Sequence, residues 1–587
     1  MKRFYLILAL ISCSFFVVAQ SNDLRQAMEK NDYLLRLIHF TYVDTVPLAP
    51  LVEKGTIEML KQLDPHSAYI SPKDVQRANE PLQGNFDGIG VSFQIVKDTV
   101  VVIEAISGGP SEKLGITGGD KIVSIDGMNA TGDSATNDFV FTHLRGKKGT
   151  VVTVGIYRNG AVRDYKIVRD KIPIHSVEVF FMENKNTGYI QIDRFSRQTA
   201  QEFRNALQTL MKEGATNIIL DLRGNSGGYM DQAIEMVDEF LEKDLLVVYM
   251  EGAHQERVNS LSTSKGMFKK GKLVVLIDEG SASASEIVSG AIQDHDRGII
   301  VGRRSFGKGL VQRPFDIPVD KSEVRLTIAR YYTPSGRSIQ KPYSDGLDKY
   351  FSDMMNRYNH GEMLHPDSIK LPDSLRYYTD AKRVVYGGGG IMPDIFTPID
   401  TNRISDYYVD LRRIGVFNNF VMAYMDKERQ NLLKTYPTYE QFNTNFKTEG
   451  AFTTEFETFA EQAGVKRNRI RMAGAEHLLN KMLAEMKKDT TLSNSATYRD
   501  YVQNALWSED EMKAYLFKLA DEEDAVQRQA QASSDEYILL QVKALLARNL
   551  YGTKYYFQTI RSIDEGYQRA LKVVEDEKLF KQLKIAH

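Results

Sequence analysis

The stretch Gly280-Ser281-Ala282-Ser283-Ala284-Ser285-Glu286 follows an apolar run, Leu273-Val274-Val275-Leu276-Ile277, and leads into a helical pattern carried by Ile287, Val288, Ala291 and Ile292. A short continuous apolar run is how a strand buried on both faces reads. A helix directly after it makes a strand–turn–helix unit of a layered α/β fold. Small residues at such a turn leave a hydroxyl exposed with backbone amides beside it. That combination can hold a nucleophile together with donors for an oxyanion.

With 587 residues the chain exceeds one core, and ordinary domain sizes give about three or four domains. The apolar fraction of 42% and charged fraction of 26% are those of a globular protein, and a net charge of −2 gives no reason to expect nucleic acid or an anionic membrane as partner. Met1-Lys2-Arg3, the apolar run Phe4 to Ala19 and polar Ser21-Asn22-Asp23 form the three parts of a secretory signal, predicting cleavage after Ala19 and a periplasmic or secreted product. The single cysteine, Cys13, lies inside that run. Leu10-Ile11-Ser12-Cys13 resembles a lipoprotein site only faintly, because apolar Phe15-Phe16-Val17-Val18 continues past it. Cleavage would leave no cysteine, which excludes a cysteine nucleophile and a disulfide framework.

The pattern divides the remainder into a helical segment over 20–80, a β-rich domain over 83–170, an alternating strand–helix domain over 172–400 and a charged, helix-patterned region over 403–587. Within the third, Ile299-Ile300-Val301 and Val324 to Tyr331 are expected to continue one sheet. A polar insertion at about 344–383 reads as a loop or lid. The fourth shows no catalytic constellation and reads as a helical appendage, with Ser533-Ser534-Asp535-Glu536 as a capping box before Ile538, Val542, Leu545 and Leu546.

Ser283 needs a base. His295 lies twelve positions along the same helix, about 18 Å away and out of reach. Lys308, in Phe306-Gly307-Lys308-Gly309, follows the next strand and can return to the same sheet edge. It must be neutral to act, which calls for apolar burial, for which Phe306 and the flanking glycines suit. Gln312, four residues on, could orient its amine. Gly302 to Lys308 also matches the start of a phosphate-binding loop, but Gly309 stands where Ser or Thr should be, and no helix pattern follows. A second strand-to-helix turn, Asp221-Leu222-Arg223-Gly224-Asn225-Ser226-Gly227-Gly228, offers amides that could complete an oxyanion hole with Ala284.

Taken together, Ser281 to Glu286, Phe306 to Gly309 with Gln312, Asp221 to Asn225, Tyr332-Thr333-Pro334-Ser335-Gly336-Arg337, Gly390-Ile391-Met392-Pro393-Asp394 and Leu63-Asp64-Pro65-His66-Ser67 resemble the signature of the carboxyl-terminal processing (tail-specific) proteases, over about Asp32 to Pro398. The resemblance implies an α/β multidomain fold with a crotonase/Clp protease-like catalytic core. It implies Ser283 as nucleophile ahead of Ser281 and Ser285, Lys308 as general base with Gln312 as its orienter, and Ala284 and Gly227 as oxyanion donors, with Gly224 a rival. Glu286 matches a family position without an assigned role. The 83–170 region would be a PDZ module whose Gly88-Ile89-Gly90-Val91 binds the C-terminal carboxylate of apolar-ended protein substrates. No cofactor or metal is implied. The C-terminal helices are a candidate surface for homo-oligomers or an adaptor. Two other readings stand beside the endopeptidase: a catalytically silent PDZ scaffold, and a Ser-His hydrolase of small esters, which would need a histidine beside Ser283.

Overall fold

The structure is a computed structural model that describes residues 2–369, 371–400, 405–466 and 534–586, with side chains from Asn22 onward. It divides into two compact units. One comprises 1–76, 311–328 and 343–351; the other comprises 77–310, 329–342 and 352–587.

In the first unit a single helix spans Lys2–Thr41, passing the expected processing point without a break, and Leu48–Lys61 forms a second. Among the described residues no helix is long and apolar enough to cross a membrane. The second helix ends at the breaker cluster for a local reason. Asp64 Oδ1 accepts the N–H groups of His66 and Ser67 at 2.8 and 2.9 Å, and Oδ2 takes the Ser67 hydroxyl at 2.5 Å, an Asx-type turn. Burial pushes the Asp64 carboxyl up, but these bonds outweigh it and leave the net shift downward. Ala68–Ile70 then pairs antiparallel with Glu323 to Arg325.

The second unit holds the β-rich domain, the layered domain and the C-terminal helices. In the β-rich domain, strands Val91–Val96, Thr99–Ala105, Lys121–Ile125, Val151–Arg158 and Ala161–Val168 follow in that order, with helix Asn137–Leu144 beside them. Val100, Val102, Ile122, Val140, Val154 and Ile167 form its core.

The layered domain is built on a six-stranded sheet: Phe180–Met182, Thr187–Gln191, Asn217–Asp221, Lys272–Ile277, Ile299–Gly302 and Ile395–Phe396. All neighbours are parallel except the first pair. Its central strands are apolar at consecutive positions because both faces are covered, as in parallel sheets generally. Leu210 of helix Thr199–Lys212 reaches the sheet at Gly188, and Ile292 of helix Ala284–Asp294 packs beside Gly298, just before strand Ile299–Gly302. Residues of the opposite parity, Ile219, Val274, Leu276, Ile299 and Val301, pack against Tyr567, Ala570, Val573, Val574 and Phe580.

Two expectations change here. Val324 to Tyr331 does not extend this sheet. It lies in strand Ser322–Tyr332, part of a separate antiparallel sheet, where Tyr331 and Tyr332 pair with Leu246–Gly252. The last helices are not an appendage either, because Glu565–Glu575 closes one face of the layered sheet. The preceding helices, Asp406–Ile414 to Ala451–Gln462, pack an aromatic core of Phe417, Phe420, Phe442, Phe452 and Phe456. Ile538, Val542, Leu545 and Leu546 join it as the pattern predicted. Ser533 of the expected capping box lies outside the described residues.

Candidate active site

Ser283 ends the turn before helix Ala284–Asp294 with φ 55° and ψ −111°, a conformation that costs a non-glycine residue about 1–3 kcal/mol and persists only where its surroundings enforce it. Two buried side chains do the enforcing. Glu286, fully buried, accepts the Ser283 N–H on Oε2 at 2.8 Å and the Lys308 N–H on the same oxygen at 2.9 Å. Its Oε1 takes the Ser305 hydroxyl at 2.5 Å and the Gly307 N–H at 2.7 Å. The Tyr331 hydroxyl lies 3.0 Å from the Ser283 carbonyl and 2.5 Å from the Lys308 carbonyl. The amides of the two residues thus converge on one carboxylate oxygen and their carbonyls on one phenol.

Burial pushes the Glu286 carboxyl up to about 7, against the pull of its four donors. The family motif pointed to Glu286 without a role. Tyr331 had no signal beyond membership of a strand.

The other two serines are taken up structurally. Ser281 and Ser285 are fully buried, and their hydroxyls donate to the carbonyls of Leu222 and Asn225, both at 2.8 Å. These bonds, with Ala282 N–H to Asn225 carbonyl at 3.0 Å, lock the serine turn onto the 222–228 turn. Gly227 has φ 101°, and a Cβ there would lie 2.8 Å from Ser283 Cβ and 3.0 Å from the Ala284 nitrogen, so only glycine fits. Its N–H donates to Asn225 Oδ1 at 2.9 Å, and the Gly224 N–H donates to Asp278 Oδ1 at 2.8 Å. Either amide must share or leave that bond to serve an oxyanion. Ala284 opens the helix directly after Ser283, where N–H groups have no partner within the helix.

Lys308 is half-buried between two glycines, and strand Leu310–Ile317 follows, so the helix that a phosphate loop needs is absent. Phe306 carries the Lys341 ammonium 4.2 Å from its ring centre, so one of its faces serves a second lysine. Lys341 is buried, which holds its amine below the usual lysine range against the opposing pull of Asp353, 3.1 Å away. Gln312 belongs to the first unit, where its side-chain amide donates to the His66 carbonyl. His295 has both ring nitrogens engaged, with Asp380 Oδ2 and the Leu246 carbonyl at 2.7 Å each.

Residues 352–383 of the polar insertion brace the Lys308 loop. Buried Arg357 donates to the carbonyls of Ser305 (3.1 Å) and Arg304 (2.5 Å), and Glu362 holds Arg304 and Arg357 together at 2.7 and 2.8 Å.

In the β-rich domain Ile89 is buried, and its carbonyl accepts both the N–H (3.1 Å) and the hydroxyl (2.6 Å) of Ser111. Gly90 has φ 74°, and Gly88 pairs with Asp170. Val91 begins the strand at the edge of its sheet among the described strands, the position at which an extended peptide adds to a sheet. Phe93 and Phe141, ring centres 5.4 Å apart, sit beside that edge, and Arg145 lies over Phe141 and Phe86 while pairing with Glu80. Among the described residues no group of three or more His, Cys, Asp or Glu is disposed to hold a metal.

Residues 186–348 match the model of peptidase family S41, 88–168 match a PDZ domain, and 407–491 match a family of unknown function, DUF8443. A carboxy-terminal-processing protease of Bartonella bacilliformis is 36% identical over 344 residues, 56% of this chain and 78% of that protein. A CtpA-like serine protease of Staphylococcus haemolyticus is 33% identical over 333 residues, 56% of this chain and 66% of that protein. Among solved structures, a photosystem II D1 C-terminal processing protease aligns at 25% identity with a TM-score of 0.34, covering 63% of this chain and 87% of that one. The chain carries a serine peptidase domain and a PDZ domain. The chain belongs to peptidase family S41, among the carboxy-terminal-processing proteases.

Proposed function

We propose that this protein is a secreted endopeptidase in which Ser283 attacks the scissile carbonyl and Lys308 is the general base, on polypeptides held by their apolar C-termini in the PDZ domain. The observation that carries the reading is the shared anchoring of the two residues: Glu286 Oε2 takes both their amides and Tyr331 Oη meets both their carbonyls. Such fixed geometry is what a pre-positioned nucleophile and base require. Neutral Lys308 takes the Ser283 proton as Oγ bonds to the carbonyl carbon. The resulting oxyanion lies between the Ala284 amide and Gly227, whose N–H turns from Asn225 Oδ1 towards it. Protonated Lys308 then gives its proton to the leaving amine, and a water repeats the sequence to free the acyl group.

At the PDZ domain, the loop Gly88-Ile89-Gly90-Val91 would take the substrate carboxylate while the following strand pairs with the peptide. Secretion rests on the basic, apolar and polar succession at the N-terminus. The test is hydrolysis of a loosely folded polypeptide ending in an apolar residue. S283A and K308A should each abolish turnover while leaving binding of a C-terminal peptide intact. Cleavage by S283A at the wild-type rate would refute the assignment.

A further inference from the structure

The turn Leu222 to Asn225 is closed by the Asn225 N–H on the Leu222 carbonyl at 3.2 Å, with Arg223 and Gly224 (φ 68°) at its corners. Arg223 is therefore the corner residue of the turn whose carbonyls hold Ser281, Ala282 and Ser285 and which leads into Gly227. Its guanidinium is clamped from two sides. Asp221, two residues back, takes Nε and Nη2 at 2.6–3.0 Å. Asp564, 341 residues further on, takes Nη1 at 2.8 Å and Nη2 at 2.7 Å as a bidentate pair.

Asp564 is itself fixed, because its Oδ1 caps helix Glu565–Glu575 through the Tyr567 N–H at 3.0 Å. That helix is held against the sheet by Tyr567, Val573 and Val574. The Tyr567 ring lies 5.2 Å from Tyr189, whose hydroxyl donates to Asp221 at 2.8 Å. Tyr567 and Arg561 both donate to Glu183. Gly566 reports how close the approach is: a Cβ there would lie 2.8 Å from Arg223 Nη1.

We propose that Asp564 is a positioning residue for the peptidase reaction, fixing through Arg223 the turn that carries Gly227, so that the helix near the C-terminus is a working part of the catalytic centre. The inference deepens the proposed function, since it rests on Ser283 as nucleophile and on Gly227 beside the oxyanion.

Two variants test it in the full chain. Asn caps helices as well as Asp does, so D564N removes the charge-assisted pair and keeps the cap. G566A favours the helix but drives a methyl group into the guanidinium. Each should leave the unfolding temperature within a few degrees of wild type and lower kcat at least tenfold with KM within twofold. Each should also weaken inhibition by a peptide aldehyde, whose adduct places an oxyanion in the site, at least tenfold. D564E should recover part of the loss. If D564N does not fold, G566A decides alone. A kcat within twofold of wild type in the folded variants overturns the clamp. S283A, run alongside, separates the two claims, because cleavage by it at the wild-type rate refutes the nucleophile whatever Asp564 does.

Discussion

Glu286 shows how one residue can work against stability to organise a site. Its carboxyl, ordinarily at 4.5, is pushed to about 7 by burial, so the folded protein holds this proton more tightly than the unfolded chain. A group shifted upward contributes most stability below its unfolded value and loses it as pH rises through the folded one. The contribution of Glu286 should fall by about 3 kcal/mol between pH 4.5 and 7. The ionised form that costs this stability is also the only one that can accept from Ser283, Ser305, Gly307 and Lys308 together. Activity should therefore fall as pH drops through about 7, beyond whatever neutral Lys308 requires. E286Q places an amide donor against two of those donors, and its kcat is expected to fall by about tenfold or more. Its pH profile should lack the limb near 7, and its unfolding free energy should vary less than wild type between pH 4.5 and 7. A mutant profile identical in shape to wild type would remove Glu286 from the titration.

At the scale of elements, Arg357 and Glu362 of the polar insertion work as a support beneath the loop that carries Lys308. Arg357 fills the space under Ser305 and Arg304, and Glu362 keeps it there. R357M should retain volume but strand two carbonyls and half of an ion pair, costing about 2–4 kcal/mol of stability. It should lower kcat more than KM, as read by thermal unfolding and steady-state kinetics. The strands and helices around the site were legible because buried parallel strands are apolar at every position, as in Leu273 to Ile277, and the serine turn stands out between such a strand and a helix. The partner of Ser322–Tyr332 was not, since an apolar alternation says that a strand has a buried face but not which sheet receives it. Glu286 was visible as a motif letter, yet its role depends on donors 19 to 22 residues away. Asp564 gave no local signal, as one acidic residue among many in a helix-patterned region.

In the second unit as a whole, attachments of very different strength meet the same C-terminal half of the chain. The PDZ domain meets helix Val416–Thr435 at the pair Lys121–Asp426, 2.7 Å apart with side chains 31% and 42% exposed, and at Gly118, which lies beside Arg429. An exposed pair of that kind contributes at most about 1 kcal/mol. Helix Glu565–Glu575 and the residues after it bury Tyr567, Val573, Val574 and Phe580 on the sheet that carries Ser283. At about 1.5–3 kcal/mol for each such side chain, their burial amounts to about 6–12 kcal/mol as an upper estimate. That equals the whole stability of a typical domain. A chain ending at Gly552 should therefore lose more than the Arg223–Asp564 pair. Ile219, Val274, Leu276, Ile299 and Val301 would be left as one exposed apolar face, which drives association. The expected outcome is an insoluble or aggregated product, read by soluble yield and size-exclusion chromatography. A monodisperse 1–552 chain with a cooperative melt would show instead that the sheet closes without this helix. Its kcat beside that of D564N would then separate coverage of the sheet from placement of the turn.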